Sequence, residues 1–110
     1  MNIQIFGTRK CHDTQKAERY FKERKIPHQF VDFTQRGLSQ GELDKIKAAV
    51  GIDNLLDRTG KEYVRLNMQY IVHNREEMLL QHPRLIKTPI VRNGAKATIG
   101  YCPEVWQEWD

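Results

Sequence analysis

Long apolar runs are missing from this sequence: no stretch approaches the ~20 residues that a membrane-spanning helix requires. The opening segment, Met1-Asn2-Ile3-Gln4-Ile5-Phe6, is too short for a secretion signal and lacks its basic start, so a cytoplasmic location is expected. Cysteine is scarce. Cys11 and Cys102 stand at opposite ends, and in a reducing compartment such a pair is more often reactive or merely buried than bridged. Their spacing fits no zinc motif, and His12, His28, His73 and His82 form no ligand pattern, so no metal is expected. Charge of one sign is not concentrated either. The net charge of +4 comes from 18 basic and 14 acidic residues that intermingle, as in Lys22-Glu23-Arg24. That pattern reads as solvated surface, not as a nucleic-acid footprint. Repeats, linkers and low-complexity segments are absent, and 110 residues suit one domain, 1–110, with a core of its own.

What is present divides into three parts. In the first, Ile3 and Ile5 alternate with polar residues as a short strand, and Gly7 to His12 follows as a loop. Asp13 or Thr14 is placed to cap a helix running to about Lys25, with Ala17, Tyr20 and Phe21 inward and Pro27 ending it. His28 to Phe33 is β-branched and aromatic enough for a second strand, with Phe30 and Val31 as core candidates. A βαβ unit of this kind implies parallel strands.

The middle, about 39–83, reads as an all-helical insert. Ser39-Gln40-Gly41-Glu42 is a capping box ahead of Leu43, Ile46 and Val50, and Gly51 stops that helix. Thr59-Gly60-Lys61-Glu62 has the form of a second box, followed at helical spacing by Tyr63, Leu66 and Tyr70. Asn74 can cap a third helix with Glu77 three residues on and Met78 and Leu79 beneath, before Pro83 closes it.

The last part changes period. Two strand-like runs, Thr88 to Arg92 and Ala95 to Ile99, flank Asn93-Gly94, a hairpin signal because both residues tolerate the positive φ of a type I′ turn. Pro103 suits the first position of a final helix whose inner face carries Cys102, Val105, Trp106 and Trp109. The helical spacing of Tyr63, Tyr70, Trp106 and Trp109 assigns them to the core and not to a ligand stack. The order is βαβ, helical insert, ββα. With the insert removed it outlines a thioredoxin-like α/β fold with a four-stranded mixed sheet.

Cys11 lies at the start of the first helix, where free backbone N–H groups favour negative charge. Arg9, Lys10 and His12 surround it in sequence and are candidates to stabilise a thiolate, the form that attacks. Its polar neighbours argue against a merely buried, apolar cysteine.

Cys11-His12-Asp13-Thr14-Gln15-Lys16-Ala17 resembles the active-site turn of the arsenate reductase (ArsC/Spx) family. Val31-Asp32-Phe33 with Gly37 and Ser39, Leu55-Leu56, Leu85 to Val91, and Ile99-Gly100-Tyr101 with Pro103-Glu104 are similar in the same order, from about Ile3 to Trp109. The resemblance implies a thioredoxin-like core, Cys11 as nucleophile, no bound cofactor, and glutathione as co-substrate with glutaredoxin as partner. It implies a cis proline at Thr88-Pro89, which would leave the Thr88 backbone open to a thiol-bearing substrate. It also exposes a departure. Where those reductases hold the oxyanion with three arginines, this sequence has Asp57, Thr88 and Tyr101, so efficient arsenate reduction is not expected. Arg58, Lys87 and Arg9 lie close in sequence as candidate replacements, although lone cations of this kind are usually exposed surface. The candidates for stabilising the thiolate or binding substrate are thus Arg9, Lys10, His12 and Thr14, with Arg58, Lys87, Thr88 and Pro89.

Cys102 follows the place of the third arginine and has two readings: a resolving thiol that attacks oxidised Cys11, or a partly buried helix-cap cysteine. The function also has alternatives. The Spx branch implies a regulator that binds the C-terminal domain of the RNA polymerase α-subunit. Gly51 ahead of Leu55-Leu56 resembles the glycine of that contact, while Thr14 stands where the branch's second redox cysteine would be. An inert thiol in a fold retained as an assembly part is the third reading.

Overall fold

Ile3, Ile5 and Phe6 are withdrawn from solvent in β1 (Ile3–Gly7), the central strand around which the chain is built. A computed structural model describes residues 1–109. β1 pairs in parallel with β2 (His28–Asp32) and antiparallel with β3 (Ile90–Asn93), which pairs antiparallel with β4 (Lys96–Ile99). The sheet order is β2-β1-β3-β4. It is the thioredoxin-like mixed sheet that the element order implies.

The alternation of side chains along the strands builds two cores. Ile3, Ile5 and Val91 point to the face covered by α1 (His12–Glu23), where they meet Ala17, Tyr20, Phe21, Trp106 and Trp109. The two tryptophans come from α6 (Pro103–Trp106) and a 3-10 turn after it, and Trp106 Nε1 donates to the buried Thr98 Oγ1 at 2.8 Å. Phe6, Val31 and Ile90 point to the other face, under the insert.

The helix ends differ from the sequence expectation. α1 is capped by neither Asp13 nor Thr14; its N-cap is Cys11. It ends at Glu23 in a Schellman turn, with Lys25 N–H donating to Lys22 O and Ile26 N–H to Phe21 O. Lys25 takes the left-handed conformation there at φ 57°, so the helix stops before Pro27 is reached. Phe30 is only partly buried, and Val31 carries the burial on β2.

The insert consists of α2 (Gln40–Val50), α3 (Ile52–Leu55), α4 (Lys61–Arg65), α5 (Arg75–Gln81) and a 3-10 turn at Pro83–Leu85. The Ser39–Glu42 capping box is formed in both directions, and Asn74 caps α5 through the Glu77 N–H. The second box is not formed. Thr59 turns back to Asp57 Oδ1 and leaves Gly60 as the cap of α4. α4 then ends at Arg65, and Asn67 adopts φ 53°. The helical spacing to Tyr70 is thereby broken: Tyr70 is 81% exposed, and Met68 fills the core instead.

The hairpin is also shifted by one residue. Asn93 pairs with Lys96, so the loop is Gly94-Ala95 and not Asn93-Gly94. Only Gly94 has positive φ, at 62°, which matches a type II′ turn in place of type I′. A single bridge, Leu56 to Ile86, pins the end of α3 beside the approach to β3. Asp57 N–H donates to Leu85 O and Lys87 N–H to Leu55 O, both at 2.8 Å. This clamp carries Asp57 to the end of the sheet where Cys11 lies.

Candidate functional site

The loop after β1 is closed by two hydrogen bonds. Cys11 N–H donates to Thr8 O at 3.1 Å, and Gln15 Nε2 donates to Arg9 O at 2.5 Å. Cys11 is extended at φ −79° and ψ 119°, and its carbonyl accepts the first α1 bond from the Gln15 N–H. The sulfur therefore occupies the place of an N-cap acceptor, although no formed side-chain cap bond holds it in the thiol state.

Two threonines close on that sulfur. Thr88 Oγ1 donates to Cys11 Sγ at 3.2 Å, and the thiol faces Thr88 O at 3.7 Å. Thr14 is wholly buried, and its hydroxyl has no formed hydrogen bond. Gly7 makes room for it, since a Cβ there would lie 2.5 Å from Thr14 Oγ1. The Thr88–Pro89 peptide is cis.

Partial burial raises the pKa of Cys11, but the Thr14 and Thr88 hydroxyls and the Thr14 and Asp13 N–H groups more than offset it. The result lies below the ordinary thiol value. The groups that do this are neutral dipoles. Arg9 pairs with Glu18 at 3.5 Å and lies over the Phe30 ring at 4.5 Å. Lys10 and His12 are exposed. Asp13, expected as a cap, contributes its main-chain N–H instead.

Beside the sulfur opens a cleft of about 640 Å³, whose lining includes Arg9, Lys10, Asp57 and Thr88. Arg58 and Lys87 are exposed and are not part of its lining, which does include Lys61 and Arg84 of the insert. No local signal marks those two residues, because they reach the cleft only through the packing of the insert. Tyr101 packs edge-on against Trp106, under Lys16 Nζ at 5.8 Å from its ring.

Cys102 caps α6, donates to Ile99 O at 3.3 Å and packs against the α1-side core. Burial and the Glu104 carboxylate push its pKa up, so it stays protonated where Cys11 ionises. Both thiols are free. Among the described residues no group of three potential metal ligands gathers, and no helix is long and apolar enough to cross a membrane.

The ArsC family model matches residues 6–109. The chain belongs to the ArsC family. It is 30% identical over 110 residues to an arsenate reductase of Haemophilus influenzae, covering 94% of this chain and 95% of that protein. It is 27% identical over 106 residues to the global transcriptional regulator Spx 2 of Oceanobacillus iheyensis, covering 92% and 78%. Among solved structures, an arsenate reductase from Vibrio cholerae superposes with a TM-score of 0.80 at 22% identity, over 98% of this chain and 97% of the other. That likeness establishes the ArsC fold. The family holds reductases and regulators alike, so the site chemistry must separate them.

Proposed function

We propose that this ArsC-family protein is a thiol–disulfide oxidoreductase with Cys11 as nucleophile and glutathione, directly or through glutaredoxin, as electron source. The observation that carries this reading is the half-buried sulfur at the head of α1, which accepts from the Thr88 hydroxyl at 3.2 Å and is held below its ordinary pKa. In the first step the Cys11 thiolate attacks one sulfur of a disulfide R–S–S–R′. Cys11–S–S–R forms, and R′S⁻ leaves. A glutathione thiolate then attacks the substrate-derived sulfur, restoring Cys11–S⁻ and yielding R–S–S–glutathione. The Thr88 main-chain N–H, unbonded among the described residues, is available to pair with a substrate backbone. Efficient arsenate reduction is no part of the proposal, because Asp57 would repel the dianion and Thr88 and Tyr101 carry no positive charge.

A pH titration of ultraviolet thiolate absorbance tests this, with Cys11→Ser and Cys102→Ser as controls. Cys11 is expected to ionise below the free-thiol range and to take up glutathione from its disulfide. The Cys11→Ser variant should form no adduct at this position, whereas Cys102→Ser should. An unshifted Cys11 that ignores oxidised glutathione overturns the reading.

The similarity to Spx 2 and the exposed Gly51, at φ 84° between α2 and α3, support a second reading: a regulator that binds the C-terminal domain of the RNA polymerase α-subunit. Thr14, buried where a second redox cysteine would stand, leaves no Cys-x-x-Cys switch. Pull-down with that domain tests it, and capture that persists in Cys11→Ser would favour the regulator.

A further inference from the structure

The cleft beside Cys11 carries uncommitted charge of both signs. From Lys10 and Thr88 near the sulfur it runs to Asp57, Lys61 and Arg84. A second hollow of about 500 Å³ is lined by the same three residues together with Glu62 and Arg65, which are paired with each other at 2.6 Å. Asp57, Lys61 and Arg84 form the saddle between the two hollows, on the side of the site built by the insert. Among the described residues, none of the three is in a salt bridge.

Asp57 is held ready. Its main chain is fixed by the N–H bond to Leu85 O. Its Oδ1 accepts from the Thr59 N–H at 3.2 Å and the Thr59 hydroxyl at 2.9 Å. Its Oδ2 accepts no hydrogen bond from the described residues, and a Cβ on Gly60 would crowd it at 2.7 Å. The carboxylate is thus oriented by one oxygen and open at the other.

Such a saddle does not suit an inorganic oxyanion, which would meet Lys61 and Arg84 but also the fixed negative charge of Asp57. A purely cationic ligand has the opposite conflict. A ligand with an ammonium and a carboxylate a few bonds apart gives each of the three groups an opposite charge to face. We propose that Asp57, Lys61 and Arg84 form a subsite for the amino-acid end of the disulfide substrate. The ammonium donates to Asp57 Oδ2, and the carboxylate accepts from Lys61 and Arg84. Asp57 is then the residue that sets specificity, replacing oxyanion attraction by recognition of a zwitterion. This rests on the disulfide reading of Cys11. The same chemistry is offered by the γ-glutamyl end of glutathione and by cystine, which place the zwitterion at different distances from the sulfur.

The test uses Cys11→Ser protein, which cannot react, and non-reactive ligands followed by NMR chemical shifts of the Asp57, Lys61 and Arg84 amides. S-methylglutathione and S-methylcysteine are each compared with their N-acetyl forms. At least one parent ligand is expected to bind about five- to tenfold more tightly than its acetylated form. The parent that shows this preference identifies the source. In an added Asp57→Asn change the preference should fall close to one. In Arg84→Gln, binding should weaken while the acetylation preference persists, which keeps the test open if Asp57→Asn misfolds. Equal binding of parent and acetylated ligands, a preference that survives Asp57→Asn, or no binding of either parent overturns the inference. Because binding is read without a thiol, its failure is distinct from failure of Cys11 to form a glutathione adduct in the unmodified protein.

Discussion

The Thr88 hydroxyl donates to the Cys11 sulfur across 3.2 Å, joining residues 77 positions apart in sequence. The bond ties the start of α1 to the turn before β3, and it strengthens when the sulfur becomes an anion. A hydrogen bond to a charged acceptor is worth about 1.5–3 kcal/mol, and this half-exposed sulfur belongs at the low end. Thr88→Val keeps the shape and removes the donor. The Cys11 pKa should rise. Below that pKa the thiolate fraction should fall roughly tenfold, partly offset by the greater nucleophilicity of a more basic thiolate. Net slowing of exchange with oxidised glutathione should be roughly threefold at neutral pH, read by stopped-flow, and an unchanged thiolate titration would remove Thr88 from this role.

Gly7→Ala should reach the same sulfur from the other side. The new Cβ falls 2.5 Å from Thr14 Oγ1 and 3.0 Å from its Cγ2, so the buried Thr14 side chain must shift. We expect a loss of about 1–3 kcal/mol in urea denaturation, as for overpacked cores, together with a raised Cys11 pKa. A variant with wild-type stability and an unshifted thiol would show that Thr14 is less tightly seated.

Stability should depend on pH through the same group. Folding lowers the Cys11 pKa, so between the folded and unfolded values the unfolded thiol keeps a proton that the folded one has lost. Stability therefore rises with pH across that window, and the contribution is lost as pH falls through the folded value. Cys102 acts oppositely, since its raised pKa makes stability fall once pH passes the ordinary thiol range. Thermal melts under reductant should show the rise in wild type and Cys102→Ser, and its absence in Cys11→Ser.

The strands, α1 and two of the four expected caps were legible because each depends on neighbours in sequence. Ser39 reaches Glu42 and Asn74 reaches Glu77 with no help from distant residues. Thr59 shows the limit of that logic. It has the spacing of a cap, but Asp57 offers its hydroxyl a nearer acceptor. Tyr70 fails for a related reason, because the left-handed Asn67 ends the helical phase that its spacing assumed. The place of Cys11 at the head of a helix could be read from the sequence, but not the identity of the groups around its sulfur. Arg9 is adjacent in sequence and spends its charge on Glu18, whereas Thr88 is remote and donates directly. Lys61 and Arg84 lie beyond local reasoning altogether, since only the packing of the insert brings them to the cleft.

Arsenate should be a poor ligand. In the presence of glutathione and glutaredoxin we expect no efficient turnover, and millimolar arsenate should leave disulfide exchange uninhibited. Asp57→Arg reverses the charge at the saddle and should increase arsenate inhibition at least roughly tenfold. Robust arsenate reduction by the unaltered protein would show that Lys61 and Arg84 suffice as anion donors.

Lys25 offers a gain in stability. It is a non-glycine residue at φ 57° in the turn that ends α1, where a side chain is strained and glycine is not. After the entropy that glycine loses on folding, Lys25→Gly should stabilise by about 0.5–1 kcal/mol in chemical denaturation. A loss would mean that the lysine stem packs well enough to offset its backbone strain.

Both indoles of the chain, Trp106 and Trp109, sit in the layer beneath α1, and the layer beneath the insert has neither. Intrinsic emission therefore watches only one half of this molecule. The insert could swing outward, carrying Asp57, Lys61 and Arg84 away from the thiol, while Trp106 kept its bond to Thr98 and its glow unchanged. Such breathing would be optically dark, and a fluorophore placed on α4 would be needed to see the cleft open.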